Sequence, residues 1–286
     1  MDMNELLLQS VESLPPLPDT VNKLRAYIDE AGAEIETEKV AEIISGDPLL
    51  MAKLLQLVNS PFYGFKSEIT TITQVITLLG IGNIKNVVLA NSIKDNFKID
   101  LSPYGLKTED FLNSCNEEVN FITNWLNDED KKLSYTLVPC VMLLRLGMVV
   151  FSHFLIQNKK DKEFLERLKA ANFSNISLIE NEFLGVDSLS FLGFLLHRWN
   201  FDESLIESVC YINSPHAASD NVKKSAYVLS ITDHLFAPYH GSSPFNVEAA
   251  IALMQEAKNG GVSFDMDNFI AKLPEKARNN INNNKG

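Results

Sequence analysis

The chain has 286 residues, enough for one large domain or two modest ones, with 25 basic and 37 acidic side chains and a net charge of -12. This charge repels phosphate backbones and anionic lipid, so it disfavours nucleic acid as a partner and favours other proteins. The cysteines Cys115, Cys140 and Cys210 lie far apart, which excludes a disulfide framework or cysteine zinc site and favours a reducing, cytoplasmic setting.

Helical patterns dominate from the start of the chain, and no stretch alternates apolar and polar residues long enough to predict a sheet. We predict N-caps at Asp19 and Thr37. The clearest helix start is Asp47 as N-cap with Pro48 at the first helical position, where its missing N–H costs nothing. This helix is predicted to end at Asn59-Ser60-Pro61. The pattern indicates an all-α fold.

The segment ITQVITLLGIGNIKNVVLANSI predicts two helices joined by a glycine turn, with Gly80 as a left-handed C-cap. The turn Gly80–Gly82 is similar to a helix-hairpin-helix, whose backbone N–H groups can bind phosphate. The nearby lysines Lys85 and Lys94 are too few for substantial counterion release. We therefore favour a structural turn and keep nucleic-acid binding as an alternative.

Five regions follow from composition along the chain: an N-terminal helical part (1–97), a polar connecting or lid-like loop (98–110), a helical core (111–240), two C-terminal helices (241–278) and a disordered asparagine-rich tail (279–286). Within the core, Asp202 is predicted to cap a helix over Leu205 to Ile212. The apolar segment Leu133 to Ile156 has the length of a membrane span but contains Arg145. Because a charge at mid-bilayer is costly, we predict no membrane insertion.

The residues show no catalytic set of their own. None of the five histidines pairs with another at i, i+3 or i+4, and the isolated Asp233-His234 dipeptide lacks the further ligands a metal needs. Nucleophile-elbow, phosphate-loop and dinucleotide motifs are absent from the sequence. We predict neither a metal nor a cofactor.

Three ordered motifs resemble the HDOD family of bacterial helical domains, which are relatives of the HD-superfamily phosphohydrolases. They are LPPLPDTVNKL, VAEIISGDPLLMAKLLQLVNSPFYG and ITTITQVITLLGIGNIKNVVLANSI. The resemblance is strongest over residues 14–95 and continues weakly to about residue 235. It implies a multi-helical HD-like bundle with an N-terminal helical subdomain, and a non-enzymatic signalling or output role linked to signal transduction, motility and chemotaxis.

The resemblance also implies where the metal ligands of a catalytic HD domain would stand. Leu144 and Arg145 occupy the place of the His-Asp dipeptide, and only Asp233 keeps a ligand type. The full set of degenerate positions is Ser114, Leu144, Arg145, Ser188, Ile212, Asn213 and Asp233. One carboxylate cannot hold a catalytic metal cluster, and the arginine would repel one.

Our leading hypothesis is a cytoplasmic, non-enzymatic signalling domain that acts by protein–protein contact, with its oligomeric state left open. One variant places a small ligand in a cleft near Arg145, Asp187, Trp199 and Asp233, where a guanidinium could bind an anion. The plainer prediction is an internal ion pair of Arg145 with Asp187 or Asp233, since buried charges are usually paired. The enzymatic alternative is a divergent phosphohydrolase with ligands drawn from Asp187, His216, Asp233 and His234.

Overall fold

The computed structural model describes residues 19–32, 34–59, 63, 65, 67–96, 99–199, 201–236 and 245–278. Within these residues it contains fifteen α-helices, two short 3-10 helices and no β-strand, which confirms the all-α prediction. The residues Ser60 and Pro61 of the predicted helix end, and the asparagine-rich tail, lie outside the described residues.

The helices form an N-terminal group and a larger second group. The N-terminal group is α1 (Asp19–Ala31), α2 (Thr37–Ser45), α3 (Pro48–Val58), α4 (Ile72–Leu79) and α5 (Ile81–Asn96). The second group is α6 (Thr108–Glu129), α7 (Lys131–Leu143), α8 (Leu146–Gln157), α9 (Asp161–Ala170), α10 (Ile176–Leu184), α11 (Ser188–Arg198), α12 (Glu203–Cys210), α13 (Lys223–Leu235), α14 (Val247–Asn259) and α15 (Met266–Lys272). Helix α5 packs on α7, and both groups share one apolar core.

Side-chain hydrogen bonds define both ends of helix α3. Asp47 accepts a hydrogen bond from the Leu50 N–H at 3.0 Å, as predicted for an N-cap before Pro48. Helix α3 ends at Asn59, whose side chain also exchanges hydrogen bonds with the Ile69 backbone, both at 2.7 Å. The N-cap prediction at Thr37 is wrong by one position, because Thr37 is already the first residue of its helix and Glu36 precedes it. Asp19 is itself helical, and the residue before it lies outside the described ones.

The predicted glycine turn between α4 and α5 is sharp. The chain bends by 114° between the two helices, and Gly80 adopts φ 82° and ψ 152°. Its positive φ agrees with the prediction, but its ψ lies far from the left-handed helical region, so the C-cap type is wrong. This backbone region is essentially restricted to glycine.

The connecting segment 98–110 is not a free, lid-like loop where the structure describes it, so that interpretation is wrong. Ser102–Tyr104 forms a 3-10 helix, and Leu101 and Tyr104 are fully buried. The Tyr104 ring stands edge-on to Phe164 of α9, with 5.0 Å between centroids. The apolar side chains among the polar ones fasten this segment to the second group of helices.

The long apolar segment lies at the centre of the bundle. Lys131–Gln157, which spans α7 and α8, is long and apolar enough to cross a membrane, yet 83% of its most apolar window is buried inside the protein. Helix α8 approaches the start of α11 so closely that a Cβ added at Gly147 would lie 2.1 Å from the Ser188 carbonyl oxygen. Only glycine fits at this crossing.

Candidate functional site

The centre of the candidate site is the break between α7 and α8. Leu144 and Arg145 form a single turn between the two helices, with Leu144 buried and Arg145 only 9% exposed. The backbone of Arg145 (φ -94°, ψ 6°) is that of the residue just before α8. Its guanidinium therefore lies in the core, where it must find counter-charges.

The Arg145 guanidinium joins helix α6 to the end of α13. Its Nε donates to Glu118 Oε1 at 3.0 Å, and its Nη1 donates to the Asp233 carboxylate. Its Nη2 donates to the backbone oxygens of Phe236 at 2.7 Å and Asp233 at 3.3 Å. These carbonyls stand at the C-terminus of α13, where the helix dipole favours a cation. One side chain thus ties three elements together.

The structure separates the two acidic partners that the sequence suggested for Arg145. The ion pair with Asp233 is present. The one with Asp187 is not, because Asp187 caps its own helix, accepting from the backbone of Leu189 at 3.1 Å and of Ser190 at 3.0 Å. Helix capping uses this carboxylate locally.

Glu118 is the partner that sequence reasoning missed. Its side chain is fully buried on α6. Burial raises the pKa of Glu118 to about 7, against the opposing effect of Arg145. Its second oxygen, Oε2, finds no hydrogen-bond partner among the described residues. Two carboxylates thus share one guanidinium, and the cluster carries an excess negative charge unless one of them holds a proton.

The other degenerate positions do not assemble around Arg145 as a polar cleft. Ser114 is half-buried one helical turn before Glu118, and Ser188 donates its backbone N–H to Glu180 Oε2 at 2.8 Å. Ile212 is fully buried and Asn213 is exposed. Neither of the last two therefore offers a polar group to a buried cation.

The predicted cleft around Arg145, Asp187 and Trp199 has no counterpart in the cavity beside the arginine. That cavity measures about 40 Å³ and is lined by Arg145 and by apolar side chains such as Phe111 and Met142, not by Asp187 or Trp199. Trp199 instead ends α11 as a buried residue. A space of this size holds a few water molecules and is much smaller than the volume of a nucleotide.

Of the four residues of the enzymatic alternative, Asp233 and His234 lie close, with 3.9 Å between Asp233 Oδ2 and His234 Nδ1, but the four do not form a ligand set. His216 Nδ1 lies 3.4 Å from Glu256 Oε1, and His234 Nδ1 lies 2.9 Å from the Ser230 carbonyl oxygen. Across the part of the chain that the structure describes, no group of three His, Cys, Asp or Glu side chains converges closely enough for a metal ion. Asp187 and Asp233 have the other partners described above.

Of the two lysines near the Gly80–Gly82 turn, Lys85 lies inside the protein, and the side chain of Lys94 is outside the described ones. Lys85 is buried, with its Nζ 3.4 Å from Asp202 Oδ1, and Asn86 Nδ2 donates to Asp202 Oδ2 at 2.9 Å. Asp202 precedes α12 as predicted, although that helix covers Glu203–Cys210 and receives no cap from the side chain. The carboxylate instead joins α12 to α5, so Lys85 is not presented to a phosphate backbone.

The family model for the HDOD domain matches residues 14–215. The chain belongs to the HDOD domain family. The match confirms the resemblance and covers most of the region, up to about residue 235, in which the sequence motifs are weak. Comparison with curated proteins finds no match.

Solved structures place this HDOD domain among bacterial relatives. A protein described as a virulence factor from Campylobacter jejuni subsp. jejuni is 69% identical, covers 98% of both chains and superposes with a TM-score of 0.65. An HDOD domain protein of unknown function from Geobacter sulfurreducens is 18% identical, over 95% of this chain and 94% of its own, with a TM-score of 0.59. A proposed phosphohydrolase from Shewanella amazonensis SB2B is 22% identical over 97% of both chains, with a TM-score of 0.64. The last two show a shared fold.

Proposed function

We propose that this HDOD domain is a non-enzymatic regulatory module of bacterial signal transduction that acts in the cytoplasm through contact with other proteins. The observation that carries the proposal is the buried Arg145 guanidinium, held by Glu118, Asp233 and the end of α13. It stands where the resemblance to catalytic HD domains puts a metal-binding dipeptide.

The electrostatics of the cluster support this proposal. A catalytic divalent metal needs several convergent ligands and an open coordination position for water or substrate. Here the positive charge belongs to a side chain whose donors are directed at protein acceptors. A second cation beside it would meet charge repulsion and would have to take Asp233 from the arginine.

A domain without catalytic activity would act through its surface. The net charge of -12 favours protein partners over nucleic acid or anionic membranes. The family membership supports a signalling role. The proposed phosphohydrolase from Shewanella amazonensis shares only the fold, and a fold does not carry an activity with it.

The proposal is tested by metal analysis combined with a phosphodiesterase screen. Purified protein is analysed by mass spectrometry for bound metals and assayed against model phosphodiesters and cyclic dinucleotides with added Mg²⁺, Mn²⁺ or Fe²⁺. We expect substoichiometric metal and no turnover above buffer. Metal-dependent turnover that Asp233→Asn abolishes and that the exposed control Asp220→Asn retains would overturn the proposal.

The partner is tested separately. The tagged chain is isolated from its native cells after cross-linking, and each co-purified protein is produced alone and titrated against the pure chain by calorimetry. We expect at least one protein to bind the purified chain directly. If no recovered protein binds it in purified form, action by direct contact is contradicted.

A further inference from the structure

A second buried acid, Glu180 of α10, joins three separate parts of the chain. The Tyr104 hydroxyl donates to Glu180 Oε1 at 2.7 Å, and the Ser188 backbone N–H at the start of α11 donates to Glu180 Oε2 at 2.8 Å. Glu180 itself is 1% exposed. Both carboxylate oxygens therefore serve as acceptors in a bridge between the connecting segment and α11.

The segment that Glu180 holds is residues 99–107, here called the strap, which connects the N-terminal helices to α6. The strap lies on α9 and α10 through the buried Tyr104 ring, which packs against Phe164. Gly105, at φ 70°, allows the chain to turn where Leu165 and Phe173 lie within 4 Å of the position a Cβ would take. The hydroxyl of Tyr104 is thus the polar end of an otherwise apolar contact.

The groups around Glu180 supply no positive charge. Tyr104 faces it from the strap, and Asp187 is the nearby charged group preceding α11. Arg167, the cation that α9 directs toward α10, pairs instead with the exposed Glu182 at 3.0 Å. Within the described residues no lysine, arginine or histidine forms an ion pair with Glu180. An ionised Glu180 would be a buried charge stabilised by two hydrogen bonds alone, an arrangement that favours the neutral acid.

We propose that Glu180 is a proton-dependent clip for the strap, which holds residues 99–107 firmly on α9 and α10 when the carboxyl is neutral and more weakly when it ionises. The clip goes beyond the proposed function, since it would operate whether or not the domain has a catalytic activity. Through the Ser188 N–H it also reaches the start of α11, which touches α8 at Gly147, two residues after Arg145.

The transition falls in the neutral range. Burial raises the pKa of Glu180 from 4.5 to about 7, while the hydrogen bonds from Tyr104 and Ser188 oppose the shift. Glu180 therefore holds its proton more tightly when the strap is docked than when the strap is released. The extra stability that this gives the docked strap is fully present below about pH 4.5 and is lost as the pH rises through about 7.

Hydrogen exchange tests the clip through protection factors, which correct for the intrinsic effect of pH on exchange. Taking pKa values of about 7 docked and 4.5 released, protection of the strap amides should fall about tenfold between about pH 6 and about pH 8. Glu180→Gln, a neutral isostere, should remove this fall. The matched control Glu182→Gln, on the exposed side of the same helix, should keep it.

A wild-type strap with the same protection at both pH values would overturn the proposal, as would an equal fall in Glu180→Gln. Should Glu180→Gln fail to fold, the carboxyl carbon of Glu180 can be followed by NMR in the wild-type protein. A titration midpoint near the ordinary 4.5 rather than near 7 would then refute the clip without any variant.

Discussion

Replacing Arg145 with methionine should destabilise the protein strongly, because methionine keeps the apolar stem but leaves two acids without their cation. Glu118 is fully buried, and 15% of the Asp233 side chain is exposed. Removing one member of a buried ion pair costs about 3–5 kcal/mol in unfolding free energy. The Phe236 carbonyl also loses its 2.7 Å donor, which adds about 1 kcal/mol. The sum is a large share of the roughly 5–15 kcal/mol that stabilises a typical domain.

Urea unfolding followed by the helical circular dichroism signal measures this loss. Arg167→Met is the matched control: Arg167 pairs with Glu182 at 3.0 Å, but both side chains are about half exposed, so we expect a loss of less than about 1 kcal/mol. The pKa of Glu118 is already raised to about 7 and should rise further without the guanidinium. The Arg145→Met penalty should therefore be smaller at about pH 5 than at about pH 8, because Glu118 is then neutral. Equal losses in the two variants would refute the role given to the cluster.

Three further substitutions, with Gly82→Ala as a control, test the packing and turns of the helices. Gly147→Ala should lower the free energy of unfolding by about 3 kcal/mol or more, because the added Cβ would lie 2.1 Å from the Ser188 carbonyl oxygen. In the same urea assay the control Gly82→Ala, whose Cβ would have no neighbour closer than 4.0 Å, should be neutral or slightly stabilising. Gly80→Ala should cost about 1–3 kcal/mol through its positive φ. Asp202→Ala should cost about 1–2 kcal/mol by leaving Lys85 unpaired, with faster hydrogen exchange in α5; unchanged exchange would contradict this.

The sequence predicts a helix boundary well where several local signals point to the same residue. Asp47 and Pro48 define the start of α3 because the N-cap and the fixed proline φ act within a single turn. Local signals do not predict the structure of the strap. Its polar composition predicts a loop, but Leu101 and Tyr104 are buried, and the Tyr104 ring packs against Phe164 of α9, sixty residues further along the chain. A contact at that distance leaves no periodic pattern within the segment itself.

The site was predictable only in part, for a similar reason. A buried arginine requires an acidic partner, and Asp233 was a correct choice. Asp187 was wrong because an aspartate directly before a helix caps that helix. Glu118 was missed, although it lies four residues after Ser114 and therefore on the same face of α6. Which glutamate of that helix turns inward depends on how α6 packs against α7, and no local motif reports this.

The Arg145 cluster joins separate helices, as a bound metal ion would, but a guanidinium has no open coordination position. A metal ion in an HD-like core would join helices through acidic ligands, and the Arg145 guanidinium does the same for α6, the α7–α8 turn and α13. A guanidinium offers fixed donors and no exchangeable position for water or substrate. Asp233 thus has a structural role as the counter-ion of the buried arginine. Arg145 thus provides a permanent cation for the fold, and under the proposed non-enzymatic function it takes the place of the metal ion that a catalytic HD domain would hold there.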